Sequence, residues 1–173
     1  MAARDPLADP APLVRRIYAY VAYRIGDGAD AEDVTSATFE RALRYREGFD
    51  PRRGEPVAWL IGIARRCISD HFADGPSPVV ALPEEAVAGE LATDSAGRID
   101  LHRAVAGLAE RDRELVALRY GADLTARQIG ELLELRTNAV EVALHRALQS
   151  LREALEDPAG VPAEPADTPE AAK

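Results

Sequence analysis

Apolar residues recur at three- and four-residue spacing in two long runs of this chain, and an acidic stretch rich in Pro and Gly separates them. That spacing marks one-sided helices, so the chain is restricted to helical layers that bury one stripe each. Leu13, Ile17, Val21 and Ile25 form the first stripe, and Gly26 and Gly28 stop it. A second helix is expected from Asp30 to about Arg46, with Asp30 as its cap and Glu32 and Asp33 in its first turn. Carboxylates there suit the unpaired N–H groups and the positive end of the helix dipole. Phe39, Ala42 and Leu43 are expected to face inward. Gly48 to Gly54, with Pro51 inside, must be a loop. Pro56 suits the first turn of a third helix, whose stripe reads Val57, Leu60, Ala64, Cys67 and His71, with Ile61 and Ile68 beside it. Trp59 is expected to anchor the core.

Residues 73–97 hold Pro76, Pro78, Pro83, Gly75, Gly89, Gly97 and several acids, which predicts a flexible linker. Beyond it Leu101, Val105 and Leu108 mark one helix, and Leu115, Val116 and Leu118 the next, ended by Gly121. Thr125 and Gln128 have the form of a capping box opening a short helix with Ile129, Leu132 and Leu133. Glu134 to Arg136 make a tight turn, and a last helix over about 137–155 buries Val140, Leu144, Leu148 and Leu151. From Pro158 the composition predicts disorder. The expected fold is all-α, with two small helical domains, 1–72 and 98–157, joined by the linker 73–97 and followed by the tail 158–173.

A net charge of −9 argues against a general nucleic-acid binder. Its distribution changes that conclusion. Residues 1–72 carry 11 basic and 11 acidic side chains and residues 101–157 carry 8 and 10, so the excess acid lies in the middle stretch and tail. The lone Cys67 cannot form an internal disulfide and sits on an apolar stripe, where it serves as a small core residue. No signal peptide and no apolar run near the roughly 18 residues that span a bilayer are present, so a cytoplasmic protein without membrane insertion is expected. With only His71, His102 and His145, no Gly-rich phosphate loop and no nucleophile motif, neither an enzyme nor a cofactor, metal or small-molecule substrate is expected.

Residues 125–152 have the form of a helix-turn-helix. Gly130 provides a small residue for a close crossing, and the last helix carries Asn138, Glu141, His145, Arg146 and Gln149 on its outer face. Such a helix can read base edges in a major groove, although simple packing produces the same form. The acids Asp30, Glu32 and Asp33 equally either cap a helix or dock on a basic surface. The Phe49–Arg53 loop is either solvated or, through Phe49, Arg52 and Arg53, a single-strand binder. Arg65 and Arg66 either meet phosphates or, for Arg66, pair with Asp70 one turn on.

Four stretches, in order, resemble the extracytoplasmic-function sigma factors of bacterial RNA polymerase. Asp30 to Ala42 (DAEDVTSATFERA) resembles that family's core-polymerase-binding helix. Trp59 to Arg66 (WLIGIARR), followed by Asp70 and His71, resembles the helix facing the −10 promoter element. Leu108 to Leu115 with Leu118–Tyr120, and Ile129 to Leu133 with Ala139–Val140 and Leu144–Ala147, resemble the −35-reading domain. The resemblance implies a transcription initiation factor that binds core RNA polymerase through Asp30, Glu32, Asp33 and Phe39. It implies −10 contacts by Phe49, Arg52, Arg53, Arg65 and Arg66, and −35 contacts by Arg127, Arg136, Thr137, Asn138, Glu141, His145 and Arg146. Core polymerase and promoter DNA are the implied partners, with room for an inhibitory anti-sigma factor.

The chain departs from the family where Gly-Thr-Val-Lys-Ser-Arg is usual in the last helix. It has Asn138, Ala139, Val140, Glu141, Val142 and Ala143 there, losing two cations and gaining an acid. Glu134 also replaces the usual turn Gly, which strains the turn by about 1 kcal/mol if its φ is positive. Two alternatives remain beside the sigma factor. One is a helix-turn-helix regulator of palindromic DNA acting without polymerase. The other is a sigma-like adaptor that has lost promoter reading.

Overall fold

Pro10 has the fixed φ a helix start needs and lacks the N–H that a start leaves unpaired, and the first helix, α1, runs Pro10–Ile25 from it. The computed structural model describes residues 5–73 and 95–156, and every element in those spans is helical. In α1 the buried set is Ile17, Tyr20, Val21 and Arg24. Gly26, at φ 97°, ends the helix and returns its N–H to the Ala22 carbonyl at 2.9 Å. Beside this turn the Tyr18 hydroxyl donates to Asp27, and burial together with that carboxylate pushes the phenol pKa up to about 12.

The second helix, α2, spans Ala29–Tyr45 and packs against α1. Its cap is not Asp30 but Gly28, whose φ of 130° suits a glycine and lets its carbonyl accept from Glu32 N at 3.1 Å. Asp30 therefore lies inside the first turn. Leu43, expected inward, is 55% exposed. The buried stripe is Ala31, Val34, Thr35, Thr38 and Ala42, and Leu43 stands about 100° around the helix from its last member. Phe39 is half-buried against the core. Two short 3₁₀ turns, Arg46–Gly48 and Pro51–Arg53, lead to α3, Pro56–Ala73, which buries Val57, Leu60, Ile61, Ala64, Cys67 and Ile68, with the expected His71 only half-buried at the helix end.

The second block holds α4 (Ser95–Ala106), α5 (Glu110–Val116), a π-helical turn (Ala117–Gly121), α6 (Ala126–Leu133) and α7 (Thr137–Glu156). Residues 95–97, expected in the linker, are thus helical; residues 74–94 and the tail fall outside the described residues. α7 buries Val140, Leu144, Ala147 and Leu151, with the expected Leu148 only half-buried.

The two blocks do not stand apart. One apolar cluster runs from Ile17, Val21, Leu60 and Ile61 in the first block to Leu115, Leu118, Leu124, Ile129 and Val140 in the second. Each fully buried Leu or Ile contributes about 1.5–3 kcal/mol. A smaller cluster, Val105, Leu108, Val116, Ala147 and Leu151, holds α4 onto α5 and α7. Where the π turn meets α1 there is no space for a side chain: a Cβ on Gly121 would lie 2.8 Å from Tyr20 Cα and N and 2.9 Å from Ala19 C.

Candidate nucleic-acid interface

The residues singled out in the sequence fall on three surfaces. On α2, Glu32 and Asp33 are exposed, while Asp30 is partly covered and lies 3.9 Å from His71 Nε2 at the end of α3. Leu43 and Tyr45, both more than half exposed, extend this surface toward the loop.

The loop between α2 and α3 is shaped by its own residues. Phe49 packs against Trp59 with ring centroids 5.4 Å apart, so Trp59 supports the loop as well as the core. Asp50 caps the second 3₁₀ turn by accepting from Arg52 N at 3.0 Å. The Arg52 guanidinium folds back onto the same carboxylate with two contacts of 3.0 Å. These bonds hold the Asp50 pKa below the usual carboxylate range. Arg53 and Arg66 are exposed and make no ion pair among the described residues. The expected Arg66–Asp70 pair does not form: Arg41, from α2, reaches Asp70 at 2.7 Å. Arg65 is also exposed, but it is paired: its Nε lies 3.3 Å from Glu114 of α5.

In α6–α7 the sequence pattern yields a built helix-turn-helix. Thr125 Oγ1 accepts from Gln128 N at 3.2 Å, and Gln128 Oε1 accepts from Thr125 N at 2.9 Å, completing the capping box. Glu134 takes φ 57° and ψ 39°, the left-handed conformation the sequence raised as a source of strain. Gly130 is indeed needed, but beneath the turn: a Cβ there would lie 2.7 Å from the Leu135 carbonyl oxygen. Arg136, Thr137, Asn138, Glu141, His145 and Arg146 are all exposed. Arg127, also exposed, pairs with Glu131 at 2.9 Å along α6.

The sequence assigned no role to the residues that tie this block to the first. Glu114, 9% exposed, receives the Tyr20 hydroxyl at 3.0 and 3.1 Å and an ion pair from Arg24. Arg24 also pairs with Glu110. Burial and the facing carboxylate push the Tyr20 hydroxyl pKa far upward, so it remains a donor. Arg16 donates to the Ala122 and Asp123 carbonyls at 2.7 and 3.0 Å, and Gln128 Nε2 reaches Glu55 at 3.3 Å. One signal was present: Arg24 occupies the i+7 place of the otherwise uncharged stripe Ile17, Tyr20 and Val21, and a buried cation needs a partner.

The sigma-70 region 2 family model matches residues 11–75, and the sigma-70 region 4 model matches residues 98–151. The chain is 33% identical over 169 residues to the ECF RNA polymerase sigma factor SigD of Mycobacterium tuberculosis, covering 88% of this chain and 76% of that protein. To the ECF RNA polymerase sigma factor BldN of Streptomyces coelicolor it is 31% identical over 156 residues, 83% of this chain but only 57% of the relative's length. Its fold resembles that of sigma factor RpoE, solved with the anti-sigma factor NepR from Bartonella quintana, with TM-score 0.64 at 18% identity over 83% of this chain and 92% of that one. It also resembles CnrH, solved with the cytosolic domain of CnrY, with TM-score 0.56 at 23% identity over 85% and 82% of the two chains.

Proposed function

The chain belongs to the extracytoplasmic-function sigma factors of RNA polymerase, and from that premise we propose how its surfaces divide the work of starting transcription. Residues 1–72 dock on core polymerase and engage the −10 element, and residues 98–157 read the −35 element. On α2, Glu32 and Asp33 with the Asp30 edge present carboxylates to a basic surface, and Phe39 holds the helix against its core. At −10, Arg53, Arg66 and a released Arg52 meet the backbone of a melted strand, and Phe49 or Tyr45 offers a stacking face. At −35, α7 enters the major groove, where Asn138 suits an adenine edge and Glu141 a cytosine amino group. Arg127, Arg136 and Arg146 hold phosphates.

The observation that carries this reading is the exposed outer face of α7 behind a fully formed capping box and turn. The role is that of an initiation factor, not a catalyst, exercised where the polymerase is, in the cytoplasm. No helix among the described residues is long and apolar enough to cross a membrane. An anti-sigma factor is a proposed partner, since the fold resembles two proteins solved with such partners or a cytosolic binding domain. Run-off transcription by core polymerase plus this chain over a promoter library tests the proposal: enrichment of start sites downstream of a shared −10/−35 pair is expected, and no chain-dependent transcript would refute it. A second reading, a polymerase adaptor with weak −35 reading, draws on Glu141 and Ala143 in place of cations and on the Arg127–Glu131 pair; it predicts start sites that share a −10 element alone.

A further inference from the structure

The second half of α1 and the Gly26 turn line one side of a cleft, and α4 and Arg113 of α5 line the other. Neither polymerase docking nor base reading uses it. Its volume is about 370 Å³, within the roughly 300–1,000 Å³ of small-molecule sites. Ala22 and Ile25 of α1 and Leu101 and Val105 of α4 make its walls mainly apolar, and Tyr23 and Phe72 add rings. Phe72 is 59% exposed, so an apolar body seated there would cover a ring that now faces water. The polar groups of the lining are few, and they are unequally served. Asp27, its one acid, is exposed and accepts the Tyr18 hydroxyl. Arg113 is half-buried. Its Nη2 donates to the Ala106 and Leu108 carbonyls at 2.6 and 3.0 Å, which pins the guanidinium to the end of α4. Its Nε is buried without an acceptor, and no carboxylate pairs with it among the described residues. Arg24, 8% exposed, lines the same cleft; Glu110 and Glu114 hold its terminal nitrogens, yet its Nε also lacks an acceptor. Among the described residues three buried side-chain polar atoms have no partner, and two of them belong to these arginines. Buried donors left unpaired are costly, and two in one cleft point to an acceptor that the chain does not itself supply.

We propose that this cleft is a binding site for a small monocarboxylate with an apolar chain or ring. The apolar body lies between α1 and α4, and the carboxylate meets the Arg113 guanidinium, with Arg24 Nε as a further donor. The charge count selects the class. Arg24 already has two acid partners, so Arg113 is the cation of the lining that lacks one, and a single negative charge balances it. A planar carboxylate matches the guanidinium fork. A phosphate monoester would bring a second charge into apolar walls with no cation to meet it, and a neutral ligand would leave Arg113 as it is. Because both sides of the cleft touch the ligand, occupancy stabilises the folded chain by mass action. None of this depends on which promoter the chain reads.

Calorimetric titration of the full chain tests the site, with 2-naphthoate and octanoate as ring and chain probes and 2-naphthamide as the neutral counterpart of the first. At least one acid is expected to bind at one site per chain, and 2-naphthoate about tenfold or more tighter than the amide. Methyl signals of Ala22, Leu101 and Val105 should shift in NMR spectra as the acid is added. Arg113→Met keeps the length of the side chain and removes the charge and the donors, so it should reduce 2-naphthoate to the affinity of the amide. That variant also loses the bonds to the Ala106 and Leu108 carbonyls and can weaken the fold. Ala106→Phe is therefore the second variant: Ala106 is an exposed residue of the lining, and the added ring fills the cleft without touching the core. It should abolish binding while leaving the thermal midpoint of the free chain unchanged. No saturable binding by either acid would overturn the proposal. So would equal affinity for 2-naphthoate and its amide, or binding that survives Ala106→Phe.

Discussion

Replacing Glu141 with Lys restores a cation at the centre of α7, and the structure fixes how large the effect on DNA binding should be. Glu141 is exposed on the outer face, between Asn138 and His145, so a lysine there meets backbone phosphate without disturbing the core. Three arginines remain for phosphates: Arg136 and Arg146, with no ion pair among the described residues, and Arg127, which is paired with Glu131. That pair is exposed at both ends, 81% and 64%, and pairs of this kind are worth about 0–1 kcal/mol, so Arg127 can be released to DNA. Three contacts give a log–log salt slope of about −2.7, and four give about −3.6. Between 50 and 200 mM salt the wild type should lose about 40-fold in affinity and Glu141→Lys about 150-fold. The variant should bind more tightly at low salt and shift preference at one base pair, because the carboxylate that accepts from cytosine is gone. Fluorescence anisotropy on −35 duplex across a salt series measures both. The chain must be used whole, because cutting it between residues 73 and 95 would bare the α5 and π-turn face that lies on α1. A slope unchanged by the substitution, or a wild-type slope near that of a six-phosphate binder, would refute the assignment of α7 as the phosphate-poor reading helix.

Other outcomes follow from the same surfaces. Charge reversal of Glu32 and Asp33 should weaken co-purification with core polymerase while lowering stability by only about 1 kcal/mol, since both side chains are exposed but stand at the positive end of the helix dipole; unchanged co-purification would remove α2 from the interface. Arg52→Ala with Arg53→Ala should cut permanganate reactivity of promoter thymines more than core binding. In Arg52→Ala the Asp50 carboxyl should titrate at a higher pH by NMR, because Arg52 is the main cause of its depressed pKa. With that pKa depressed, the native pair persists above the usual carboxylate range and is lost only as pH falls through the lowered value. Glu134→Gly should stabilise the chain by about 0.5–1 kcal/mol, relieving a left-handed residue at some entropic expense in the unfolded chain, seen as a higher midpoint in thermal unfolding.

What the sequence made legible was local. The α3 stripe, the Thr125–Gln128 box and the turn at Glu134 depend on neighbours a few positions away, and all three are present in the structure. Leu43 and Leu148 were misplaced because a stripe has an edge, and spacing alone does not say which side of the edge a residue falls on. The Arg66–Asp70 pair failed for a related reason: helical spacing brings two charges near, but Arg41 on a neighbouring helix competed better. Among the site residues, exposure of the α7 face agrees with the pattern, and Arg65, exposed like Arg53 and Arg66, differs from them in being paired with Glu114. Its partner Glu114 stands dozens of residues away, and no periodicity encodes so distant a meeting.

The meeting of α1 with the π turn also imposes an order in time. A ribosome makes the first block before any of the second exists, and the surface around Tyr20 and Arg24 waits for residues near Gly121. At about 5–20 residues per second, translation from Ala73 to Gly121 takes several seconds. Helical hairpins such as α1–α2 form within microseconds to milliseconds, so for nearly all of that interval a folded first block presents an uncovered patch to the cell. A tyrosine and an arginine at its centre keep that patch wet rather than oily, which makes the nascent chain less prone to adhere to its neighbours than an all-aliphatic seam would be.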